Sequence, residues 1–231
     1  MSLFPRLTKA DSRLALVVDE DCWTYAELAS AACEHIDRLR GEGIEPGARV
    51  AVWAHPSATT VAAMIGNLAA AMTTIPLNPK LGSAEAAHIF HDASPRIVFS
   101  AEGFEPAHPA PGIASMQGAY SRGQGSVPPI DSDRCAGLIL YTSGTTGPPK
   151  GAVLSRANLA ANLDSLIEAW AWSDRDTVVH SLPLIHAHGL VLGLFGSLRV
   201  GGALHYLPKF DPTAIERALR DPRHDQTLLF A

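Results

Sequence analysis

Cysteine is scarce in this chain. Cys22, Cys33 and Cys135 are the three present in 231 residues, an odd number with no C-x-x-C spacing, which argues against a disulfide framework or a zinc knuckle and fits a reducing cytosol. Excess positive charge is missing as well: 18 Lys+Arg stand against 23 Asp+Glu, a formal net charge of -5, and no basic cluster is available to neutralise a nucleic-acid backbone or an anionic membrane. The expected partner is a small molecule, with no nucleic acid involved. Long apolar runs are also lacking. The longest, around Val61 to Met72 and Gly189 to Leu198, fall well short of the ~20 residues of a membrane-spanning helix and suit buried helices instead. Residues 1–11 carry Arg6 and Lys9 but no apolar segment before a small-residue cleavage site, so no secretory signal is read there and a cytoplasmic location is expected.

What the chain does have is 47% hydrophobic residues, enough for a substantial core in one large domain or two small ones. Thr24 with Glu27 has capping-box spacing, and Leu28, Ala31, Ala32, Ile36 and Leu39 follow at helical intervals until Gly41 and Gly43. Arg49 to Ala54 reads as a strand, Ser57 as the cap of a helix to about Ala71, and Ile75-Pro76-Leu77 as a short strand. Ser83 opens a helix to Ala93 that breaks before Pro95, and Ile97 to Phe99 is a further strand.

From Glu105 to Pro129 the pattern dissolves into Pro, Gly, Ser and Ala, as in a surface connector with little secondary structure. Beyond it come a strand from Ala136 to Tyr141, a Gly/Thr loop, a strand from Ala152 to Leu154 and a helix from Ser155 to about Trp172. A strand over Val178 to Leu182, a buried helix from His188 to Val200 stopped by Gly201-Gly202, and a helix begun at Asp211-Pro212 complete the alternation. The expected fold class is α/β, with alternating strands and helices forming layered, mainly parallel or mixed sheets. The expected organisation is a first α/β part over 1–104, a Pro/Gly-rich loop over 105–130 and an α/β part over 131–231. Gln226 to Ala231 reads as a buried strand with no turn or helix after it, which suggests a truncated chain.

The Gly/Thr loop, Thr142-Ser143-Gly144-Thr145-Thr146-Gly147-Pro148-Pro149-Lys150-Gly151, has the inventory of a phosphate holder. Glycines let the backbone approach, hydroxyls donate, and the lysine supplies a mobile positive charge. It is not a Walker-type loop. With Lys150 aligned, Pro149 stands where the second glycine is required and Gly151 where the Mg²⁺-binding hydroxyl belongs, and the loop leads into a strand, not a helix N-terminus.

The run Tyr141 to Gly151 resembles, at every position, the signature of the adenylate-forming superfamily, the acyl-CoA synthetases and their relatives. Leu182-Pro183-Leu184-Ile185-His186-Ala187-His188-Gly189 is similar to that family's second core motif, with Ile185 in place of the usual aromatic residue. Thr24 to Leu28 and Ile75 to Pro79 also sit where these enzymes have such segments. Within the superfamily the look is most like the malonyl-CoA synthetases and neighbouring fatty-acid ligases.

The resemblance implies activation of a carboxylic acid by ATP and Mg²⁺ to an acyl-adenylate, then transfer to coenzyme A. It assigns Thr142, Ser143, Thr145 and Thr146 as hydroxyl donors to phosphate, Gly144 and Gly147 as points of close backbone approach, and Lys150 as the phosphate partner. It makes His186 a catalytic residue near the substrate carboxylate. His188 reads as structural. The Mg²⁺-serving glutamate, the ribose-binding aspartate and the C-terminal domain that such enzymes carry are absent before Ala231, so little or no turnover is expected of this chain alone. The alternative is a stand-alone, non-catalytic nucleotide-binding or scaffold module. Trp170 and Trp172 are expected to pack ordinarily, and Arg199, Lys209 and Arg217 to be solvated surface charges.

Overall fold

The computed structural model describes residues 2–108, 110–131, 133, 135–142 and 147–230. After a 3-10 turn over Pro5–Lys9, strands β1 (Leu14–Val18) and β2 (Asp21–Thr24) form an antiparallel pair that runs directly into helix α1 (Tyr25–Gly41). Thr24 starts this helix as its sequence predicts. Its side chain accepts the Glu27 N–H at 3.2 Å while the Glu27 carboxylate accepts the Thr24 N–H at 2.8 Å, so two otherwise orphaned donors are satisfied.

The next stretch alternates as expected: β3 (Arg49–Trp53), α2 (Ala58–Ala69), β4 (Thr73–Leu77), α3 (Ser83–Ala93) and β5 (Ile97–Ala101). Ser57 caps α2 by accepting the Thr60 N–H. α3 opens at Ser83 and runs to Ala93 as expected, with Gly82 as its N-cap and no side-chain cap. The Pro/Gly-rich stretch is mostly irregular, yet Ala114–Gly118 forms a strand, β6, parallel to β5. Its side chains are largely exposed, so it lacks the apolar alternation that would reveal it.

Then follow β7 (Ala136–Thr142), β8 (Lys150–Ser155), α4 (Arg156–Trp170), β9 (Asp176–His180), a π-helix over His188–Phe195 continuing as α5 (Gly196–Val200), β10 (Ala203–Tyr206), α6 (Pro212–Leu219) and β11 (Gln226–Phe230). The strands form two sheets, ordered β11-β9-β10-β1-β2 and β6-β5-β3-β4-β7-β8. Neighbours are parallel except for the antiparallel pairs β1–β2 and β7–β8. Both sheets draw strands from the stretch before residue 105 and from the stretch after 130. β1, β2 and β10 have no counterpart in the sequence reading, since a short apolar run such as Leu14 to Val18 carries no periodicity to mark it.

The main core lies between the sheets, filled by α1 and α2 packed on each other and by α4, the π-helix and α5. Strand alternation divides the faces: Val50 and Val52 of β3 point into this core, while Ala51 and Trp53 join Ile89 and Phe90 of α3 on the opposite face. α6 covers the outer face of the first sheet, against Val179 and Leu207. β11 is a strand as predicted but not a buried one. It forms the sheet edge, and Leu229 is 47% exposed.

One further expectation is overturned, and the predicted buried helix from His188 to Val200 is present. Arg199 is not a solvated surface charge: its side chain is 5% exposed, its guanidinium grips both oxygens of Asp164 at 2.8 Å, and Nη1 donates to the Ser2 and Leu3 carbonyls. The helix from His188 is wound as a π-helix for its first eight residues. Within it Gly193 passes so close to the buried His180 ring that a Cβ there would overlap it, so glycine is required at that position. Trp172 is buried as expected, with its ring against Gly196, while Trp170 is 47% exposed.

Candidate functional site

β7 and β8 form a hairpin whose register sets Tyr141 opposite Gly151 and Thr142 opposite Lys150. Thr142 and Lys150 therefore belong to strands, and the connection itself runs from 143 to 149. Ser143, Gly144, Thr145 and Thr146 lie outside the described residues. Gly147 is exposed, with nothing within 4 Å of where a Cβ would be. Lys150 is exposed and makes no ion pair with a described residue, so its ammonium is available to an anion. The chain passes from the loop into a strand, so no helix macrodipole faces this position from β8.

The two shoulders of the loop are held by one helix. Tyr141 Oη donates to Asp92 at 2.6 Å, and His88 Nε2 donates to the Pro149 carbonyl at 2.8 Å. His88 and Asp92 are four residues apart on α3, hence on the same face. Partial burial first, and then the hydrogen bond to Asp92, raise the Tyr141 pKa above the ordinary phenol range, so the hydroxyl stays protonated as a donor. Gly151 leaves room for the Tyr141 ring, since a Cβ there would come within 3.1 Å of Cζ. Sequence reasoning missed His88 and Asp92. The only available signal was their i, i+4 spacing, which says nothing about the partner.

His186 leaves the carboxyl end of β9 in the other sheet. Its N–H donates to the Pro183 carbonyl at 3.2 Å and its carbonyl accepts the Leu190 N–H at 2.9 Å, so main-chain bonds fix the turn while the side chain is exposed. Gly189 is needed directly behind it, where a Cβ would stand 2.6 Å from the Pro183 carbonyl oxygen. His188 is exposed too. Beneath them His180 is buried, its Nδ1 accepting the Leu182 N–H at 3.0 Å, and burial lowers its pKa to about 4. No hydrogen bond among the described residues joins His186 to Thr142, Gly147 or Lys150.

Both positions lie at or beyond the carboxyl ends of strands, where open α/β sheets place ligand sites. The donors at the hairpin suit an anion: a hydroxyl, main-chain groups and an ammonium. They are not a magnesium cage, which calls for oxygen ligands including carboxylates. The carboxylate nearest the loop by bonding, Asp92, is engaged by Tyr141.

The profile of a family described as AMP-binding enzyme matches residues 5–230. A malonate–CoA ligase from Arabidopsis thaliana is 29% identical over 94% of this chain and 41% of its own length. The mitochondrial malonate–CoA ligase ACSF3 of Homo sapiens is 30% identical over 92% of this chain and 40% of its own. Among solved structures, a malonyl-CoA ligase in a ternary product complex with methylmalonyl-CoA and AMP superposes with a TM-score of 0.86 at 41% identity, covering 98% of this chain and 48% of that one. ATP-bound MatB from Rhodopseudomonas palustris superposes with a TM-score of 0.79 at 28% identity, covering 96% and 52%. The chain thus spans about two fifths of the length of these curated relatives. No helix among the described residues is long and apolar enough to cross a membrane.

Proposed function

The chain belongs to the AMP-binding enzyme family, and from that premise we propose that it forms the phosphate-loop part of an AMP-forming acid–CoA ligase. In the first half-reaction a substrate carboxylate oxygen attacks the α-phosphorus of ATP, the bond to the bridging oxygen breaks, and pyrophosphate leaves with the electron pair. In the second, the CoA thiolate attacks the acyl carbon and AMP departs.

The observation that carries this reading is the β7–β8 hairpin, with Thr142 across from an exposed Lys150 that pairs with no carboxylate among the described residues, and both shoulders of the loop tied to α3. Charge builds on the departing pyrophosphate, so catalysis here is positioning plus donors at the phosphates. A loop fixed at both shoulders supplies the positioning, and its side chains would supply the donors. Thr142, Ser143, Thr145 and Thr146 would donate hydroxyls, Gly144 and Gly147 would allow close approach, and Lys150 would neutralise phosphate. Mg²⁺ would arrive with the triphosphate it chelates. His186, on an exposed turn fixed by main-chain bonds, would orient the acid.

The relatives named as malonate–CoA ligases favour a small dicarboxylic acid over a fatty acid. The sequence is organised as an α/β part over 1–104, a Pro/Gly-rich loop over 105–130 and an α/β part over 131–231, and the protein works in the cytoplasm. The test is pyrophosphate release by the intact protein with malonate, methylmalonate, acetate and medium-chain fatty acids. Malonate-dependent release that Lys150→Ala abolishes supports the reading. Equal rates for all acids refute the dicarboxylate preference. ATP binding without acid-dependent turnover, or no ATP binding, returns a nucleotide-binding or scaffold module.

A further inference from the structure

On the sheet that does not carry the phosphate hairpin, three potential metal ligands converge. His205 of β10 and Asp221 and His224 of the turn after α6 offer ligand atoms that all lie within 4.8 Å of one another. Nδ1 of His205 is 3.3 Å from Nε2 of His224, and the two rings stand nearly perpendicular at 86°. Metal–nitrogen bonds of 2.0–2.1 Å at tetrahedral angles separate two ligand nitrogens by about 3.3–3.4 Å. The imidazole pair already has that spacing.

We propose that His205, His224 and Asp221 form a site for a divalent transition-metal ion of the zinc class, completed by water, which staples the 221–224 turn to β10. Two imidazoles and one carboxylate suit zinc-like ions and not magnesium or calcium, which take oxygen ligands. Asp221 is oriented by Arg223, whose main-chain N–H donates to Oδ1 at 2.9 Å, whose Nε lies 2.8 and 2.9 Å from the two oxygens and whose Nη2 also donates to it. These contacts occupy both oxygens, so a cation at Asp221 takes the place of the Nε bond, which is shared between the two oxygens and is the one that can yield. Hydrogen-bonded carboxylates of this kind are common around bound metals. The turn is also tied by the His224 N–H to the Asp221 carbonyl at 3.1 Å, which brings two of the ligands together before any ion binds.

The experiment titrates Co²⁺ and Zn²⁺ into the chelator-treated, tag-free intact protein. The expected result is one equivalent of Co²⁺ with the visible absorption of tetrahedral cobalt, displaced by Zn²⁺, and a Tm that rises with Zn²⁺ but not with Mg²⁺. His224→Gln and Asp221→Asn should each weaken Co²⁺ binding at least about tenfold. His205 is buried, and its variant can lose fold. The half-buried His224 keeps the test valid, with circular dichroism as the check on folding. Absence of a tetrahedral spectrum, binding that survives His224→Gln undiminished, or a Tm insensitive to Zn²⁺ would overturn the site.

Discussion

His88 on α3 donates its Nε2 proton to the Pro149 carbonyl at 2.8 Å, which anchors the candidate loop one residue before Lys150. One turn further along the same helix, Asp92 anchors the opposite shoulder through the Tyr141 hydroxyl. These two bonds link the outer helix of the second sheet to the candidate site and make α3 a positioning element, although none of its residues belongs to the loop.

Removing either anchor should loosen the loop without unfolding the protein, since His88 is half-buried and Asp92 exposed. For His88→Ala and Asp92→Asn we expect KM for ATP in the intact protein to rise about three- to tenfold, the worth of one net hydrogen bond, with Tm nearly unchanged. Steady-state kinetics measured beside a thermal melt decide it. A lowered Tm with unaltered KM would make the clasp purely structural.

Gly193 of the π-helix lies against the buried His180 ring, where a Cβ would overlap Nε2. Gly193→Ala should therefore destabilise the protein by about 1–3 kcal/mol, the usual cost of overpacking a filled core. Urea unfolding of the two proteins would show a lower midpoint, whereas an equal midpoint would mean that the helix rewinds at no cost.

His35 sits between α1 and α2 in a closed relay. Tyr120 Oη donates to its Nδ1 at 2.5 Å, its Nε2 donates to Asn67 Oδ1 at 2.9 Å, and Asn67 Nδ2 donates to Thr74 at 3.2 Å. Burial is the chief cause that lowers its pKa to about 4. The neutral ring is the folded form, so the unfolded chain binds the extra proton as pH drops below its pKa of about 6.5. The stability this histidine confers is complete above that value and is lost as pH falls toward 4. The loss is on the order of 3 kcal/mol. Comparing unfolding free energies from pH 7 to pH 4.5 in the parent and in His35→Gln should show a shallower decline in the variant; parallel curves would remove His35 as a cause.

Arg199→Lys should cost about 1–3 kcal/mol, because an ammonium cannot hold both Asp164 oxygens while also serving the Ser2 and Leu3 carbonyls. Asp164→Asn should cost less, since the Asp164 side chain is 56% exposed and water can replace it. Chemical denaturation of the two variants gives the comparison, and equal losses would contradict this asymmetry.

Much of this protein was legible as local pattern. Thr24 with Glu27, Ser57, Ser155 and Asp211 mark helix starts because a capping bond spans only two or three residues. The candidate loop from Thr142 to Lys150 stood out in the sequence for a similar reason, since its residues are consecutive and lie between two strands. Tertiary structure decided what depends on neighbours distant in the chain. β1 and β10 are five- and four-residue apolar strands made stable by pairing across more than 180 residues. Arg199 reads as surface charge until Asp164 and the first carbonyls of the chain surround it. His88 became an anchor, and His205 a neighbour of His224, only when separate segments met. The physical reason is range: caps and turns are closed by bonds within a few residues, whereas burial, ring stacking and ligand geometry are properties of the packed chain.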